Sequence, residues 1–257
     1  MCELFGVTAK KKFKINGFLN AFFNHSVEHR NGWGLAVLDA GPGQIVKEPK
    51  RAIDSKALNE MLKSDIETSC CIAHIRKATI GGEHKSNTHP FVGFDRNKRK
   101  WVLAHNGTIF DADILAPYQY MQSGDTDSER ILLYIIDEIN KESLKQKAKL
   151  SGIQRVKIVE EAIKKLSHGN KLNLLIYDGE YIYVHKNEEG TLYQKEEKDA
   201  VFFSTVPLGS EEWKEFPGNR LQVYQNGKLI YTGKEHENTY VHNEENMKLL
   251  YLAYSGL

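Results

Sequence analysis

The sequence contains little cysteine, with 3 such residues among 257. Their positions show none of the repeated short intervals that disulfide frameworks and zinc sites require. A chain of this length buries a large core without disulfides or metal ions. The scarcity of cysteine therefore excludes a disulfide-rich secreted scaffold, and it favours a reducing, cytoplasmic setting.

Long apolar runs and an excess of charge of one sign are also absent. The longest apolar stretches, such as LNLLIY and LLYLAY, are far shorter than the ~20 residues that a membrane helix needs. No basic segment followed by an apolar run opens the sequence, so we expect no signal peptide. The formal net charge of +1 lacks the basic excess of a dedicated nucleic-acid binder. We therefore expect a soluble cytoplasmic protein without a membrane or nucleic-acid partner.

The sequence has instead the composition of a globular protein, with 40% hydrophobic and 27% charged residues. No repeat, low-complexity tract or proline-rich linker divides it, so a single domain over residues 1–257 is predicted. Candidate strands cluster at both ends of the chain around central helices, without a regular alternation of strand and helix. This order predicts an α+β fold with antiparallel sheets.

Local patterns predict the individual elements. Apolar residues at helical spacing predict four helices, over 15–28, 55–63, 125–139 and 153–167. Asp54 is the candidate N-cap of the second helix. The third helix is expected to have an Asp or a Ser as its N-cap. Strand patterns cover residues 2–9, 32–40, 69–76, 100–106 and much of 172–233. Asn226-Gly227 predicts a tight hairpin turn, and the adjacent Cys70 and Cys71 are predicted on opposite faces of a strand.

The sequence opens MCELFG, with a cysteine directly after the initiator methionine. Removal of Met1, which is usual before a small side chain, leaves Cys2 with both a thiol and a free α-amine. An α-amine has a pKa near ~8, low enough to take up a proton at physiological pH. A terminal nucleophile activated by its own amine is a known catalytic arrangement. The alternative interpretation is a strand-edge cysteine without a chemical role.

Polar residues end two predicted strands and begin a predicted helix, in the stretches AHIRKAT, LAHNGTI and GDTDSE. Arg76 ends a strand and presents a planar fork suited to a carboxylate. Asn106 and Gly107 end another, where a side-chain amide and a backbone N–H can stabilise an oxyanion. Asp127 can accept a ligand ammonium.

Each of these stretches also has a structural interpretation. Arg76 can be a surface residue, Asn106-Gly107 a plain turn, and GDTDSE a helix cap. Together with Cys2, however, they supply a nucleophile, a base, oxyanion donors, a carboxylate clamp and an ammonium acceptor. This combination predicts attack on the side-chain amide of an α-amino acid.

An ordered set of motifs resembles the stand-alone class II glutamine amidotransferases of the N-terminal nucleophile (Ntn) hydrolase superfamily. The set reads MCELFG, HRNGWGLA, AHIRKAT, NTHPF, LAHNGTI, GDTDSE and FFSTVPLG, and its motif-bearing part runs from Cys2 to about Arg130. The resemblance implies a four-layer αββα sandwich of two antiparallel sheets. We expect no cofactor and no metal site.

The resemblance implies a catalytic role for three residues. Cys2 attacks the amide carbon of glutamine, with its own α-amine as the general base. Asn106, through its side chain, and Gly107, through its backbone N–H, form the oxyanion hole. Ammonia leaves, and water hydrolyses the γ-glutamyl thioester to glutamate.

The resemblance also implies how the substrate is held. Arg76 binds the α-carboxylate, with help from Thr79 and the segment around His89. Asp127 binds the α-ammonium. A separate synthase subunit is a further candidate partner, because no synthase domain follows the motifs.

Two departures from the synthase-fused relatives touch the rim of the glutamine pocket. Lys77 and Ile80 stand where those enzymes usually carry Trp and His, and HRNGWGLA replaces their RGYDSAG-like segment. The donor is therefore glutamine or a related γ-glutamyl amide. A catalytically silent subunit that binds glutamine or docks on a synthase is the alternative from a different class.

Four histidines that the proposed chemistry does not use are given structural roles. His25 and His29 are four residues apart, but no matching carboxylate or cysteine spacing supports a metal site, so we expect solvated or capping side chains. His74 and His105 lie on apolar strands and are expected to be hydrogen-bonded structural residues. A metal-dependent hydrolase built from the histidines is the weakest alternative.

Overall fold

The computed structural model describes residues 1–39, 43–78, 81–110, 113–210, 212–245 and 248. Its helices are α1 (Asn16–Asn24), α2 (Lys56–Lys63), α3 (Asp127–Gln146) and α4 (Gly152–Leu166), with 3-10 turns over His25–Val27, Ala52–Asp54, Lys85–Asn87 and Asp113–Tyr118. Its strands are β1 (Glu3–Lys14), β2 (Trp33–Val37), β3 (Gln44–Glu48), β4 (Glu67–Ile75), β5 (Phe91–Phe94), β6 (Lys100–Thr108), β7 (Lys171–Tyr177), β8 (Ile182–His185), β9 (Tyr193–Glu197), β10 (Ala200–Ser204), β11 (Lys214–Glu215), β12 (Gln222–Gln225) and β13 (Lys228–Thr232). Within these ranges, no helix is both long and apolar enough to cross a bilayer.

The strands form two antiparallel sheets. The seven-stranded sheet has the order β11-β9-β10-β1-β4-β2-β3, and the six-stranded sheet has the order β13-β12-β8-β7-β6-β5. Every strand pair is antiparallel. This confirms the predicted α+β fold with antiparallel sheets.

Three apolar clusters define the layers. The first joins α1 and α2 to the outer face of the seven-stranded sheet, where Phe18 stacks on Phe202 with ring centroids 4.4 Å apart. The second joins α3 and α4 to the six-stranded sheet through residues such as Ile131 and Leu174. The third lies between the two sheets and is built from strand and loop residues such as Leu4. Each fully buried side chain of this kind contributes ~1.5–3 kcal/mol to folding. The layer order is αββα, as predicted.

The alternation along β4 decides which of its residues reach the space between the sheets. Cys70 and Ile72 belong to the cluster between the sheets, whereas Cys71 belongs to the cluster beneath α1. The two cysteines therefore point to opposite faces, as predicted. By the same period of two, His74 and Arg76 face the space between the sheets.

Two predicted helix caps are wrong. α2 is capped by Ser55, whose Oγ accepts a hydrogen bond from the Leu58 N–H at 3.0 Å. Asp54 ends the preceding 3-10 turn, and its carboxylate pairs with Arg51 at 2.6 Å. At α3 the N-cap is Thr126, whose side chain makes no capping hydrogen bond. In both cases the true cap is a hydroxyl residue one position from an aspartate.

The hairpin between β12 and β13 turns at Asn226-Gly227, as predicted. The φ angles are 51° at Asn226 and 74° at Gly227. Two consecutive positive φ angles are the signature of a type I′ turn, which asparagine and glycine tolerate best.

Gly34 in β2 lies against the backbone of His89 and Pro90. A Cβ at Gly34 overlaps the His89 carbonyl oxygen and contacts Pro90 Cδ at 2.9 Å. Because backbone atoms cannot rotate out of the way, we expect Gly34→Ala to lower the free energy of unfolding by about 3 kcal/mol. Equilibrium urea unfolding measures the change.

Gly17 in α1 provides the matched control. A Cβ there meets nothing within 4 Å, and alanine is favoured over glycine in a helix by about 0.5–1 kcal/mol. Gly17→Ala should therefore be neutral or stabilising. Equal stability of the two variants contradicts the steric explanation for Gly34.

Candidate active site

The register of β1 and β4 brings Cys2 next to Arg76. Glu3 is paired with Ile75, so the next residues outward on the two strands, Cys2 and Arg76, lie at adjoining strand ends. Leu4 packs between the sheets. Because side chains alternate along a strand, Cys2 is directed toward the same side as Leu4. The thiol and the guanidinium thus meet at one end of the space between the sheets.

The Cys2 thiol is partly buried against the backbone of Lys77. Its Sγ lies 3.4 Å from both the N and the O of Lys77. Burial raises the pKa of the Cys2 thiol, and Asp127 adds to this effect, whereas the Lys77 N–H, the Arg76 charge and the chain amino group oppose it. The thiol is therefore protonated at neutral pH. It needs a base to become a nucleophile.

Asn106, on the six-stranded sheet, lies on the face that is directed into the same space between the sheets. It lies in β6 at 4% exposure, on the strand face that carries Val102 and Ala104 into the cluster between the sheets. Gly107 follows it, and a Cβ there overlaps the Lys171 carbonyl oxygen and His105 Nε2. Only glycine fits at this position of β6.

Cys2 and Asn106 line one open cavity of about 330 Å³. Its remaining lining residues come from the start of the chain and from four loops or strand ends: Met1, Glu3, Glu28, His29, Lys77, Gly190, Thr191, Thr205 and Val206. A second cavity of about 370 Å³ is lined by Asp95, Arg155 and Asp178 among others, and it includes none of the predicted site residues. The cavity at Cys2 is therefore the candidate active site.

Arg76 is 3% exposed and is held by the loop that follows it. Its Nη1 and Nη2 donate to the carbonyl oxygens of Gly82 and Gly81, each at 3.0 Å. Asn31 completes this corner, because its Oδ1 accepts from the Ala78 N–H at 2.8 Å. The guanidinium is thereby fixed beside Cys2 rather than exposed at the surface.

Asp127 begins α3, and its carboxylate faces back toward the strands. Oδ2 accepts from the Ile109 N–H at 2.9 Å, and Oδ1 accepts from Ser128 Oγ at 3.1 Å. Asp127 acts electrostatically on both Cys2 and Arg76. A positive and a negative group thus lie within electrostatic reach of the thiol, which suits the zwitterionic end of an amino acid.

His89 is buried beneath this corner and stacks on His74, with ring centroids 4.1 Å apart. Neither ring has a nitrogen with a partner of ordinary hydrogen-bond geometry among the described residues. Burial holds the pKa of both histidines well below the usual range. The expectation of a hydrogen-bonded His74 is therefore wrong. His105 does meet the expectation, with Ser128 Oγ at 2.9 Å and the Lys171 carbonyl at 3.1 Å.

Among the predicted site residues, the structure brings Cys2, Arg76, Asn106 and Asp127 together. His89 lies close to Arg76. Cys2 and Asn106 line the cavity, whereas Arg76, Gly107, Asp127 and His89 do not. Thr79 lies outside the described residues.

Lys47 of β3 forms hydrogen bonds with the segment that carries His89. Its Nζ donates to the carbonyl oxygens of Thr88 at 2.6 Å and Pro90 at 3.2 Å. Burial lowers the pKa of Lys47 to about 8, from 10.5 for a free lysine. Between these pH values the unfolded chain binds more protons than the folded one, so this residue adds stability as the pH rises.

We expect the Lys47→Met variant to lack this increase in the free energy of unfolding with rising pH. Urea unfolding between about pH 8 and about pH 10.5 should show the stability of the parent rising relative to that of the variant. Parallel pH dependences of the two proteins contradict the assignment.

His29 and Glu3 were not predicted as site residues, yet both line the cavity. His29 is 5% exposed, and its Nε2 lies 2.7 Å from the Met1 carbonyl oxygen. His25 Nδ1 pairs with Glu3 Oε2 at 2.8 Å. His25 is the C-cap residue of α1, and His29 Nδ1 lies 2.9 Å from its carbonyl oxygen, so the expected capping role is found, although His29 is buried and not solvated. Within the described residues, no three His, Cys, Asp or Glu side chains are grouped so as to hold a metal ion.

The family model for class II glutamine amidotransferases matches residues 1–195. An uncharacterised protein of Methanocaldococcus jannaschii is 31% identical over 261 residues, which covers 91% of this chain and 72% of that protein.

Solved structures share the fold at low sequence identity. The glutamine phosphoribosylpyrophosphate amidotransferase of B. subtilis matches with a TM-score of 0.67 and 16% identity, over 93% of this chain and 50% of that one. A Pseudomonas aeruginosa protein described as a predicted glutamine amidotransferase matches with a TM-score of 0.60 and 19% identity, over 90% of this chain and 100% of that one. This chain therefore spans half the length of the B. subtilis enzyme.

Proposed function

This chain belongs to the class II glutamine amidotransferase family, and we propose that it hydrolyses the side-chain amide of glutamine, or of a related γ-glutamyl amide, with Cys2 as nucleophile. One observation carries the proposal. Cys2 shares a cavity with Asn106 and lies at the end of the strand adjoining Arg76, with Asp127 in electrostatic reach.

The two charged residues hold the amino-acid end of the donor. Arg76 binds the α-carboxylate, supported by Thr79 and the segment of His89, and Asp127 binds the α-ammonium. The Arg76 guanidinium is held in place by donation to the backbone carbonyl oxygens of Asn31, Gly81 and Gly82. This clamp directs the γ-amide toward Sγ.

The thiol requires a base, and the α-amine of Cys2 supplies it once Met1 is removed. An α-amine has a pKa of about 8, whereas burial keeps the Cys2 thiol protonated. The amine takes the thiol proton as Sγ attacks the amide carbon. It then gives that proton to the leaving nitrogen as the carbon–nitrogen bond breaks.

The oxyanion of the tetrahedral intermediate is stabilised by the Asn106 side chain and the Gly107 N–H. Ammonia, or an amine from a substituted donor, departs and leaves a γ-glutamyl thioester on Cys2. Water attacks the thioester, the sulfur regains a proton, and glutamate is released.

Release of glutamate from a panel of γ-glutamyl compounds tests the proposal. The panel contains glutamine and γ-glutamyl peptides, assayed with a protein whose amino terminus has been verified by mass spectrometry. The proposal requires turnover of at least one donor. Tight glutamine binding without turnover, and without a covalent adduct at Cys2, identifies the silent glutamine-binding or synthase-docking alternative.

A further inference from the structure

His29 has hydrogen bonds that depend on Met1. Its Nδ1 lies 2.9 Å from the carbonyl oxygen of His25, and its Nε2 lies 2.7 Å from that of Met1. Carbonyl oxygens only accept, so both ring nitrogens carry a hydrogen and donate. Glu3 Oε1, at 3.6 Å from Nε2, provides the counter-charge.

Removal of Met1 takes away one of these two acceptors. The Met1 carbonyl oxygen and the Cys2 nitrogen belong to one peptide unit and lie about 2.3 Å apart. The new α-amine therefore begins within about 5 Å of His29 Nε2. Cys2 precedes β1, so a small backbone rotation at this first residue closes the distance.

We propose that His29 holds the α-amine of Cys2 in its catalytic orientation, an inference that rests on the function proposed above. The Nδ1–H stays on the His25 carbonyl, so in the neutral ring Nε2 only accepts, and the amine donates one N–H to it. The amine lone pair is thereby turned toward Sγ. The thiol proton passes to the amine and then to the leaving nitrogen, and His29 itself exchanges no proton. His29 is thus a positioning residue.

Charged residues surround His29 on the same side of the cavity. Glu3 faces it from β1, and His74 lies in electrostatic reach on β4. Glu28 and Lys77 face each other across the cavity rim at 3.9 Å.

The test compares the parent with His29→Phe and His29→Gln, and with the exposed His242→Gln as control. His29→Phe should lower kcat by about tenfold or more, with KM within about twofold of the parent. His29→Gln should retain more activity, because its amide oxygen still accepts from the amine.

The outcomes separate this inference from the proposed function. Unchanged kcat in the folded His29→Phe variant, with an inactive Cys2→Ala variant, overturns the inference alone. Glutamate release by Cys2→Ala overturns both. Thermal unfolding identifies a variant that does not fold, and the kcat of His29→Ala, which adds no bulk, decides the matter if His29→Phe is lost.

Discussion

Replacing Cys2 by alanine abolishes the release of glutamate, with an expected loss in kcat of at least about 10⁴-fold. In the proposed mechanism Sγ forms the thioester, and among the described residues that line the cavity Cys2 is the only cysteine. Arg76 and Asp127 are untouched by the change. The variant should therefore still bind the donor, as isothermal titration would show.

Cys70→Ala is the matched control for this substitution. Cys70 is buried in the cluster between the sheets, and burial raises the pKa of its thiol far above the usual range. Its loss should leave kcat within about twofold of the parent. Both variants are compared by glutamate release and by urea unfolding. Activity that survives in a folded Cys2→Ala protein removes the nucleophile from the mechanism.

Replacing Asn106 by alanine lowers kcat by about 10²–10³-fold, corresponding to about 3–4 kcal/mol of transition-state stabilisation. The amide N–H of Asn106 is required only when the carbonyl oxygen of the donor gains negative charge. We therefore expect KM to change little, because Arg76 and Asp127 continue to hold the donor. Steady-state kinetics with the best γ-glutamyl donor measures both constants.

Asn106→Asp gives an isosteric comparison. A carboxylate at this position repels the developing oxyanion, so its loss in kcat should equal or exceed that of the alanine variant. A change confined to KM in both variants contradicts the oxyanion role and indicates that Asn106 binds the ground state of the donor.

Strong local patterns in the sequence were enough to predict the fold class and the principal elements. The period of two along β4 predicted opposite faces for Cys70 and Cys71, which now lie in different clusters. Asn226-Gly227 predicted its turn from the demand for positive φ. Such signals depend only on neighbouring residues, so they can be recognised without knowledge of the rest of the chain.

Short edge strands were not predicted. β3 (Gln44–Glu48) and β5 (Phe91–Phe94) are edge strands of the two sheets and have few residues in which a pattern can be recognised. β3 has mixed polar and apolar residues, and β5 contains a glycine that packs on α3. Their strand state depends on pairing with β2 and β6, and local sequence does not encode that pairing.

Some site residues could likewise be predicted from local motifs, whereas others depend on tertiary packing. Arg76, Asn106 and Asp127 stand at element ends in recognisable motifs, so the sequence could nominate them. No sequence pattern predicts His29 as a site residue, because its hydrogen-bond partners are the backbone carbonyl oxygens of His25 and Met1. Every residue carries such an oxygen, so these partners leave no signal in the sequence. The contact between the rings of His74 and His89 depends on the packing of two distant segments, which no local motif predicts.

The most direct test is mass spectrometry of the amino-terminal peptide after rapid acid quenching of the enzyme with its donor. We predict a chain that begins at Cys2 and carries a γ-glutamyl group on Sγ, and this adduct should be absent from Cys2→Ala. An active enzyme that retains Met1, or a γ-glutamyl group attached to any other residue, contradicts the mechanism.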